Sequence, residues 1–261
     1  MTKQNLPSRF SWPDGFPDVV AHCEEVERDS HPAYLPGKSG DKAAAVQLAQ
    51  DLVSKAALET LRHIMQNRKA IIVPVTAIEG RGFNAIPDAL AQEIASKLGL
   101  EKSSGEIVQS NTVHHTRAKG YQRLVTPAEF EGDVREGKLY IIVDDHVGFG
   151  GTIANLKGFI EGRGGLVVAA TTLTKSPGSE KISPTADQLD TLRRIHGHAL
   201  EVLWQDQFGH GIDCLTRREA QLLCREKSFV AVTDRLAQGS IEARERGLEI
   251  QSLKPKQGRD D

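Results

Sequence analysis

Residues 140–155 read YIIVDDHVGFGGTIAN. A β-branched apolar run ends in two adjacent aspartates, Asp144 and Asp145. The chain then turns through Gly148, Gly150 and Gly151 into a segment with Ile153, Leu156 and Ile160 at helical spacing. The run predicts a strand over 139–145 and the stripe predicts a helix after it. In a parallel α/β sheet, ligands bind at the carboxyl ends of the strands, where these acids would stand. The glycines let successive N–H groups point at one anion, and Thr152 opens a helix whose N-terminal dipole also favours negative charge. A strand with a glycine turn and surface acids is the plain alternative. Against it, adjacent acids capping a buried strand are costly without a partner.

Outward from this strand the pattern repeats. AIIVPV (70–75) and GLVVAATTL (165–173) are short apolar runs of buried-strand type, and GEIVQS (105–110) reads as a further strand. Helical patterns lie between them. One starts near Asp41 with Val46, Ala49 and Val53 on a face. Another has Pro87 near its first turn and Ile86, Leu90, Ile94 and Leu98 spaced by four. AIEGRGFN (77–84) reads as a loop. Strands alternating with helices predict an α/β fold, a parallel sheet covered by helices. Beyond Lys175 the reading is a helix near 185–196, a short strand LEVLW (200–204) and two more helical segments. The first of these is opened by Thr216 and Glu219 at capping-box spacing. Residues 1–40, rich in Pro, Gly and Asp, read as an arm or loosely structured cover, and the last ten residues as a solvated tail.

The composition sets bounds on partners. Charged residues are 26% of the 261, hydrophobic ones 39%, and the formal net charge is −2, which gives no general electrostatic reason to expect nucleic acid or a membrane surface. Three cysteines without CxxC spacing argue against a disulfide framework or a zinc site. The polar, proline-punctuated start is unlike a signal peptide, and no apolar run approaches bilayer length, so the expected location is cytoplasmic.

A sugar phosphate suits a phosphate nest beside a carboxylate pair, because carboxylates accept hydrogen bonds from a cis-diol while the nest holds the phosphate. A dinucleotide fingerprint fails: its third glycine would fall at Ile153, and two carboxylates would repel a pyrophosphate. PGKS (36–39) fails as a P-loop, since the first glycine would fall at Pro32 and no strand-like run precedes it. IIVDDHVGFGGT resembles the signature of the type I phosphoribosyltransferases: an apolar strand, two acidic residues and a short Thr/Gly loop ending in Thr. VPVTAIEGRGFNAIPDALAQEIASKLGL (73–100) is similar to the diphosphate-loop region of the ComF-like members, which also show RGFN after a strand with a proline. The resemblance covers about residues 70–175.

It implies a phosphoribosyltransferase core over 41–175, an N-terminal arm or hood element over 1–40 and a C-terminal α-rich hood and tail over 176–261. The implied reaction transfers ribose 5-phosphate from phosphoribosyl diphosphate (PRPP) to a nitrogenous acceptor, a nucleobase in the first instance, and releases diphosphate. Asp144 and Asp145 would contact the ribose hydroxyls and, through water, Mg²⁺. Gly148, Phe149, Gly150, Gly151 and Thr152 would hold the 5′-phosphate. Arg81 and Gly82 would meet the diphosphate, Arg81 bidentately. His114, His115, Arg117, Lys119 and Arg123 lie where the family has a mobile loop, with Arg117 and Lys119 assigned to the diphosphate; a basic surface hairpin is the alternative. In VLWQDQFGHGID (202–213), Trp204, Phe208 and Asp213 would meet the base, the alternative being a core Trp with a turn Asp. LTRREAQLL (215–223) superficially matches the opening of a helix-turn-helix, but no tight turn follows, and a packing helix is the better reading. The chain departs from the family where Gly148 stands in place of an Asp thought to act as general base. That departure keeps open a non-catalytic PRPP- or nucleotide-sensing or regulatory protein of the same fold, although no DNA-binding basic patch is evident. Many members are dimers, so a homodimer is one assembly the resemblance implies.

Overall fold

The computed structural model describes residues 9–76, 78–79, 82–111 and 120–248, with 78–79 and 82–83 described by their backbone alone. In chain order the elements begin with β1 (Val20–Ala21), α1 (Glu25–Ser30), α2 (Tyr34–Lys38), α3 (Lys42–Leu52), α4 (Lys55–Met65) and β2 (Ala70–Pro74). There follow β3 (Ile78–Glu79), β4 (Gly82–Phe83), α5 (Ile86–Leu98), β5 (Glu101–Lys102), β6 (Ile107–Gln109), α6 (Gly120–Val125) and β7 (Phe130–Gly132). Then come β8 (Leu139–Val147), α7 (Gly151–Glu161), β9 (Leu166–Lys175), α8 (Ala186–Phe208), a 3₁₀ turn at Ile212–Cys214, α9 (Arg217–Cys224) and α10 (Phe229–Glu245). None of the described helices is long and apolar enough to cross a membrane.

The fold is α/β. Five strands form one sheet in the order β1-β9-β8-β2-β5, every neighbouring pair parallel. β8 runs down the middle, and consecutive side chains point to opposite faces. Ile141 and Val143 join the core beneath α3, α4 and α5, whereas Tyr140 and Ile142 join the one beneath α7. Full burial of an aliphatic side chain of this size contributes about 1.5–3 kcal/mol, so this strand is a main anchor of the sheet. A third apolar cluster lies away from the sheet, among α6, α8, α9 and α10.

Several local expectations are revised. Residues 107–109 do form a strand, but it pairs antiparallel with β7 in a separate ribbon. Gly105, at φ +89°, turns the chain out of the sheet after β5, which takes the edge beside β2 instead. AIEGRGFN contains the short antiparallel pair β3–β4. On α3 the buried face is Ala45, Leu48 and Ala49, and Val46 is exposed. The small Ala45 is needed because α2 comes within reach at Gly37, where an added Cβ would meet Ala45 Cα at 3.1 Å. LEVLW is helical rather than extended: Leu200 and Trp204, four apart, are one buried stripe of α8. Gly197, at φ +64°, kinks that helix, so the residues beyond it look like a new element in sequence. Residues 9–40 are also more than a loose cover, since β1 joins the sheet beside β9 and α1 and α2 follow it.

Candidate functional site

β8 delivers both aspartates to the carboxyl edge of the sheet. By alternation Asp145 extends the row of Ile141 and Val143, towards α2 and α5, and Asp144 the opposite row. The Asp145 carboxylate is ion-paired with the Lys38 ammonium and accepts from Asn84 Nδ2 at 3.1 Å. Asn84 is itself fixed, since its Oδ1 accepts the Ile86 N–H at 3.2 Å. Asp144 Oδ1 turns back to accept the Asp145 N–H at 2.8 Å.

These contacts separate the two acids. Burial works against the charge of Asp145, but the Lys38 ammonium and the hydrogen bonds from Lys38 and Asn84 outweigh it and hold the carboxyl below the ordinary aspartate range. Asp144 moves the other way. Loss of hydration and the neighbouring negative charge hold it well above that range. The pair therefore favours negative charge on Asp145 over Asp144.

The loop after β8 has the geometry of an anion cradle. Gly150 adopts φ +78° at the N-terminal cap of α7, a conformation that glycine takes without a steric penalty. The N–H groups of Gly148, Phe149, Gly150, Gly151 and Thr152 find no acceptor among the described residues. The loop is braced from behind. Thr216 Oγ1 donates to the Phe149 carbonyl at 2.6 Å. An added Cβ at Gly150 would lie 3.2 Å from Ile182 Cδ1. A buried bidentate pair, Arg9 to Glu219 at 2.7 and 3.1 Å, sits against Gly151, and Arg9 Nε also donates to Asn155 Oδ1 on α7. Arg9, near the start of the described chain, thus meets the beginning of α9 behind this loop.

Further polar groups converge in front of it. An added Cβ on Gly148 would lie 3.6 Å from Arg123 Nη1, 3.9 Å from His146 Nε2 and 4.0 Å from Ser176 Oγ. Arg123 also lies over the Phe149 ring at 5.5 Å. It is carried by α6, which α10 approaches closely at Gly239. His146 hydrogen-bonds Thr174 Oγ1 at 2.9 Å and Ser176 Oγ at 3.1 Å, with Arg28 Nη1 3.4 Å from its Nδ1. Burial, then the Arg28 charge, push its pKa down.

Of the residues predicted from sequence, Asp144, Asp145 and Gly148 to Thr152 thus lie on one strand–loop–helix unit, with Arg123 against the loop. Gly82 lies in β4, two residues before Asn84. Arg81, His114, His115, Arg117 and Lys119 lie outside the described residues. Trp204 and Phe208 are buried in the third cluster with ring centroids 4.5 Å apart, whereas Asp213 is exposed in the 3₁₀ turn. Sequence reasoning missed Lys38, Asn84, His146 and Ser176. Lys38 and Asn84 meet Asp145 across 107 and 61 positions, and no local pattern marks either contact.

No protein-family model matches the chain. Among curated proteins it is similar to Protein TraN of Escherichia coli, 38% identical over 243 residues that make up 93% of this chain and 54% of that one. It is also similar to an uncharacterized protein of Haemophilus influenzae, 40% identical over 152 residues, 58% of this chain and 34% of that one. The chain spans about half the length of the first of these relatives, at 54%, and about a third of the second, at 34%. Among solved structures it is similar to an adenine phosphoribosyltransferase, at 18% identity and TM-score 0.33 over 55% of this chain and 76% of that one. The UMP synthase of Leishmania donovani gives 18% and 0.32 over 75% of this chain and 33% of that one. The orotate phosphoribosyltransferase of Mycobacterium tuberculosis, in complex with Fe(III) dicitrate, gives 13% and 0.26 over 53% and 76%.

Proposed function

We propose that this chain binds PRPP and transfers its ribose 5-phosphate to a nitrogenous acceptor, a nucleobase in the first instance, with release of diphosphate. The observation that carries the reading is the unit Asp144–Thr152, in which an acid pair and a run of N–H groups with no acceptor among the described residues are fixed on one strand end and one helix start. In this reading the N–H groups of Gly148 to Thr152 hold the 5′-phosphate. Asp145 and Asp144 accept from the ribose hydroxyls. Arg81 and Gly82, with Arg117 and Lys119, meet the diphosphate. The proposed setting is cytoplasmic, as a homodimer, with the hood drawn from residues 1–40 and 176–261.

As the C1–O bond breaks, positive charge grows on the ribose ring and negative charge on the departing diphosphate. In this reading Asp144 and Asp145 would face the first and Arg81, Arg117 and Lys119 the second, which is electrostatic stabilisation of the transition state. The new bond joins C1 to the acceptor nitrogen, and the acceptor's proton passes to solvent, because Gly148 has no side chain to take it. The donor chemistry fits Mg²⁺. No group of three or more His, Cys, Asp or Glu side chains that could hold a metal occurs among the described residues. Asp144 and Asp145 offer hard oxygens suited to an ion held mainly by substrate and water. Bound there, Mg²⁺ would neutralise charge on the diphosphate.

One observation favours a second reading, a non-catalytic sensor of PRPP or a nucleotide. Arg123, His146 and Ser176 surround Gly148, but the carboxylate expected at that position is missing. Diphosphate release from PRPP and Mg²⁺, measured against a panel of nucleobases for the wild type and Asp145→Asn, separates the two. Base-dependent release that the variant loses supports the transferase. PRPP binding without release for any base supports the sensor.

A further inference from the structure

We infer that Ser176, oriented through His146, donates a hydrogen bond to the acceptor base and selects a base that turns a carbonyl oxygen to the space over Gly148; the inference rests on the PRPP reading above. Neither backbone nor packing asks for glycine at that position. Gly148 is not among the positive-φ glycines, and the described atom nearest to an added Cβ would be Arg123 Nη1 at 3.6 Å, an ordinary contact. The missing side chain therefore leaves room for a ligand. Ser176 Oγ and His146 Nε2 border the same room, at 4.0 and 3.9 Å from the Cβ position.

The hydrogens in this corner can be placed one after another. Strand pairing sets His146 beside Thr174, and Ser176 follows two residues on. A guanidinium only donates, so Thr174 Oγ1 accepts from Arg28 Nη1 at 2.7 Å and keeps its own proton for His146 Nδ1 at 2.9 Å. A hydrogen on Nδ1 would instead face Arg28 Nη1 at 3.4 Å, donor against donor. Arg28 is anchored in turn by Asp29, to which its Nε donates at 2.8 Å, and by the Tyr34 ring at 4.9 Å. Burial and the Arg28 charge lower the pKa of His146 from 6.5, so at pH 7 the ring is neutral and carries its one hydrogen on Nε2. That hydrogen points between Ser176 Oγ at 3.1 Å and the Glu25 carboxylate at 3.5 Å, both of which can accept it. Ser176 Oγ has no other partner among the described residues. Its own proton is left for a ligand.

The chain Arg28–Thr174–His146–Ser176 thus delivers a donor to the open space, and the Arg123 guanidinium adds positive charge beside it. A base that turned an N–H this way would meet a donor and a cation. A carbonyl oxygen, with two lone pairs and partial negative charge, pairs with both. The Glu25 carboxylate close by disfavours a full anion in the same place.

The test is titration of the full chain, saturated with ribose 5-phosphate in Mg²⁺, with bases that differ only by oxygen or sulfur: uracil against 2-thiouracil and 4-thiouracil, and hypoxanthine against 6-mercaptopurine. Sulfur is a weak acceptor. The wild type is expected to prefer the oxygen member of at least one pair by roughly three- to tenfold, the scale of one hydrogen bond. Ser176→Ala should bring that pair within about twofold, and Ser176→Thr should keep the preference. If Ser176→Ala fails to fold, Ser176→Gly takes its place with the same expectation. His146→Leu should lose the preference although Ser176 is present. His146→Gln, whose amide can accept from Thr174 and donate to Ser176, should keep it, a difference that packing alone would not produce. No preference in the wild type, or the same preference in Ser176→Ala, would overturn the role of Ser176. Ribose 5-phosphate binding with no base bound would overturn it too, and would leave the PRPP reading standing. A wild type that does not bind ribose 5-phosphate would overturn the PRPP reading itself.

Discussion

The carboxyl edge of the sheet and the C-terminal helical cluster both carry residues that look functional in sequence, and they place them very differently. At the sheet edge, Asp144, Asp145 and the glycine loop are reached by Lys38, Asn84, Arg123 and Ser176 from four other places in the chain, beside the neighbouring His146. In the cluster, Trp204 and Phe208 are packed against Leu192, Leu200 and Leu223, and Asp213 stands outside in solvent. Burying an aromatic pair is what a helical core needs anyway. Gathering opposed charges and N–H groups without acceptors among the described residues at one strand end is not required by any core. Convergence of polar groups from distant segments therefore separates a site from a motif-like coincidence better than residue type does.

Removing Trp204 gives the largest expected effect on that contrast. Trp204→Ala should cost about 3–5 kcal/mol through lost burial and a cavity. Urea unfolding reads the cost, while PRPP affinity of the folded fraction should be unchanged; a selective loss of the acceptor instead would return Trp204 to the base site. Arg9→Ala should cost a comparable amount, about 3–5 kcal/mol, because it leaves Glu219 charged and buried behind Gly151. Unlike the tryptophan change, it should also weaken phosphate binding, which inorganic phosphate titration can follow.

Acid should loosen the fold through two buried histidines. Burial lowers the pKa of His22 to about 4, and burial followed by the Arg9 charge lowers that of His210 to about 3, both from 6.5. The unfolded chain takes these protons first. Stability is therefore complete above pH 6.5 and falls as the pH drops towards 4 and 3, by about 1.4 kcal/mol per unit for each histidine. Urea midpoints between pH 7 and 5 measure the slope, and His22→Gln should flatten it. The smallest stability effect is expected at the loop: Gly150→Ala should cost about 1–2 kcal/mol for a left-handed alanine. Its Cβ would also press on Ile182, and its effect on phosphate binding should exceed its effect on stability.

Much of the sheet was legible because its signals are local. The β8 run, the acids, the glycines and the α7 stripe sit within one stretch, and each has a direct physical meaning. What was missed depends on long-range contact or on a broken local rule. α2 contains Pro36 and Gly37, residues that argue against a helix, and it forms because Gly37 fits between α3 and the start of α5. α8 was cut short because Gly197 looks like a helix end and the apolar run after it looks like a strand. β6 left the sheet at a single positive-φ glycine that no periodicity reveals.

The central claim is that Asp145 and the loop after it bind a ribose phosphate. Titration of PRPP in Mg²⁺ into the wild type and into Asp145→Asn tests it most directly. The account predicts measurable binding to the wild type and a loss of roughly ten- to a hundredfold in the variant, the scale of a hydrogen bond to a charged group. Equal affinity in both proteins, or no binding to either, would contradict it.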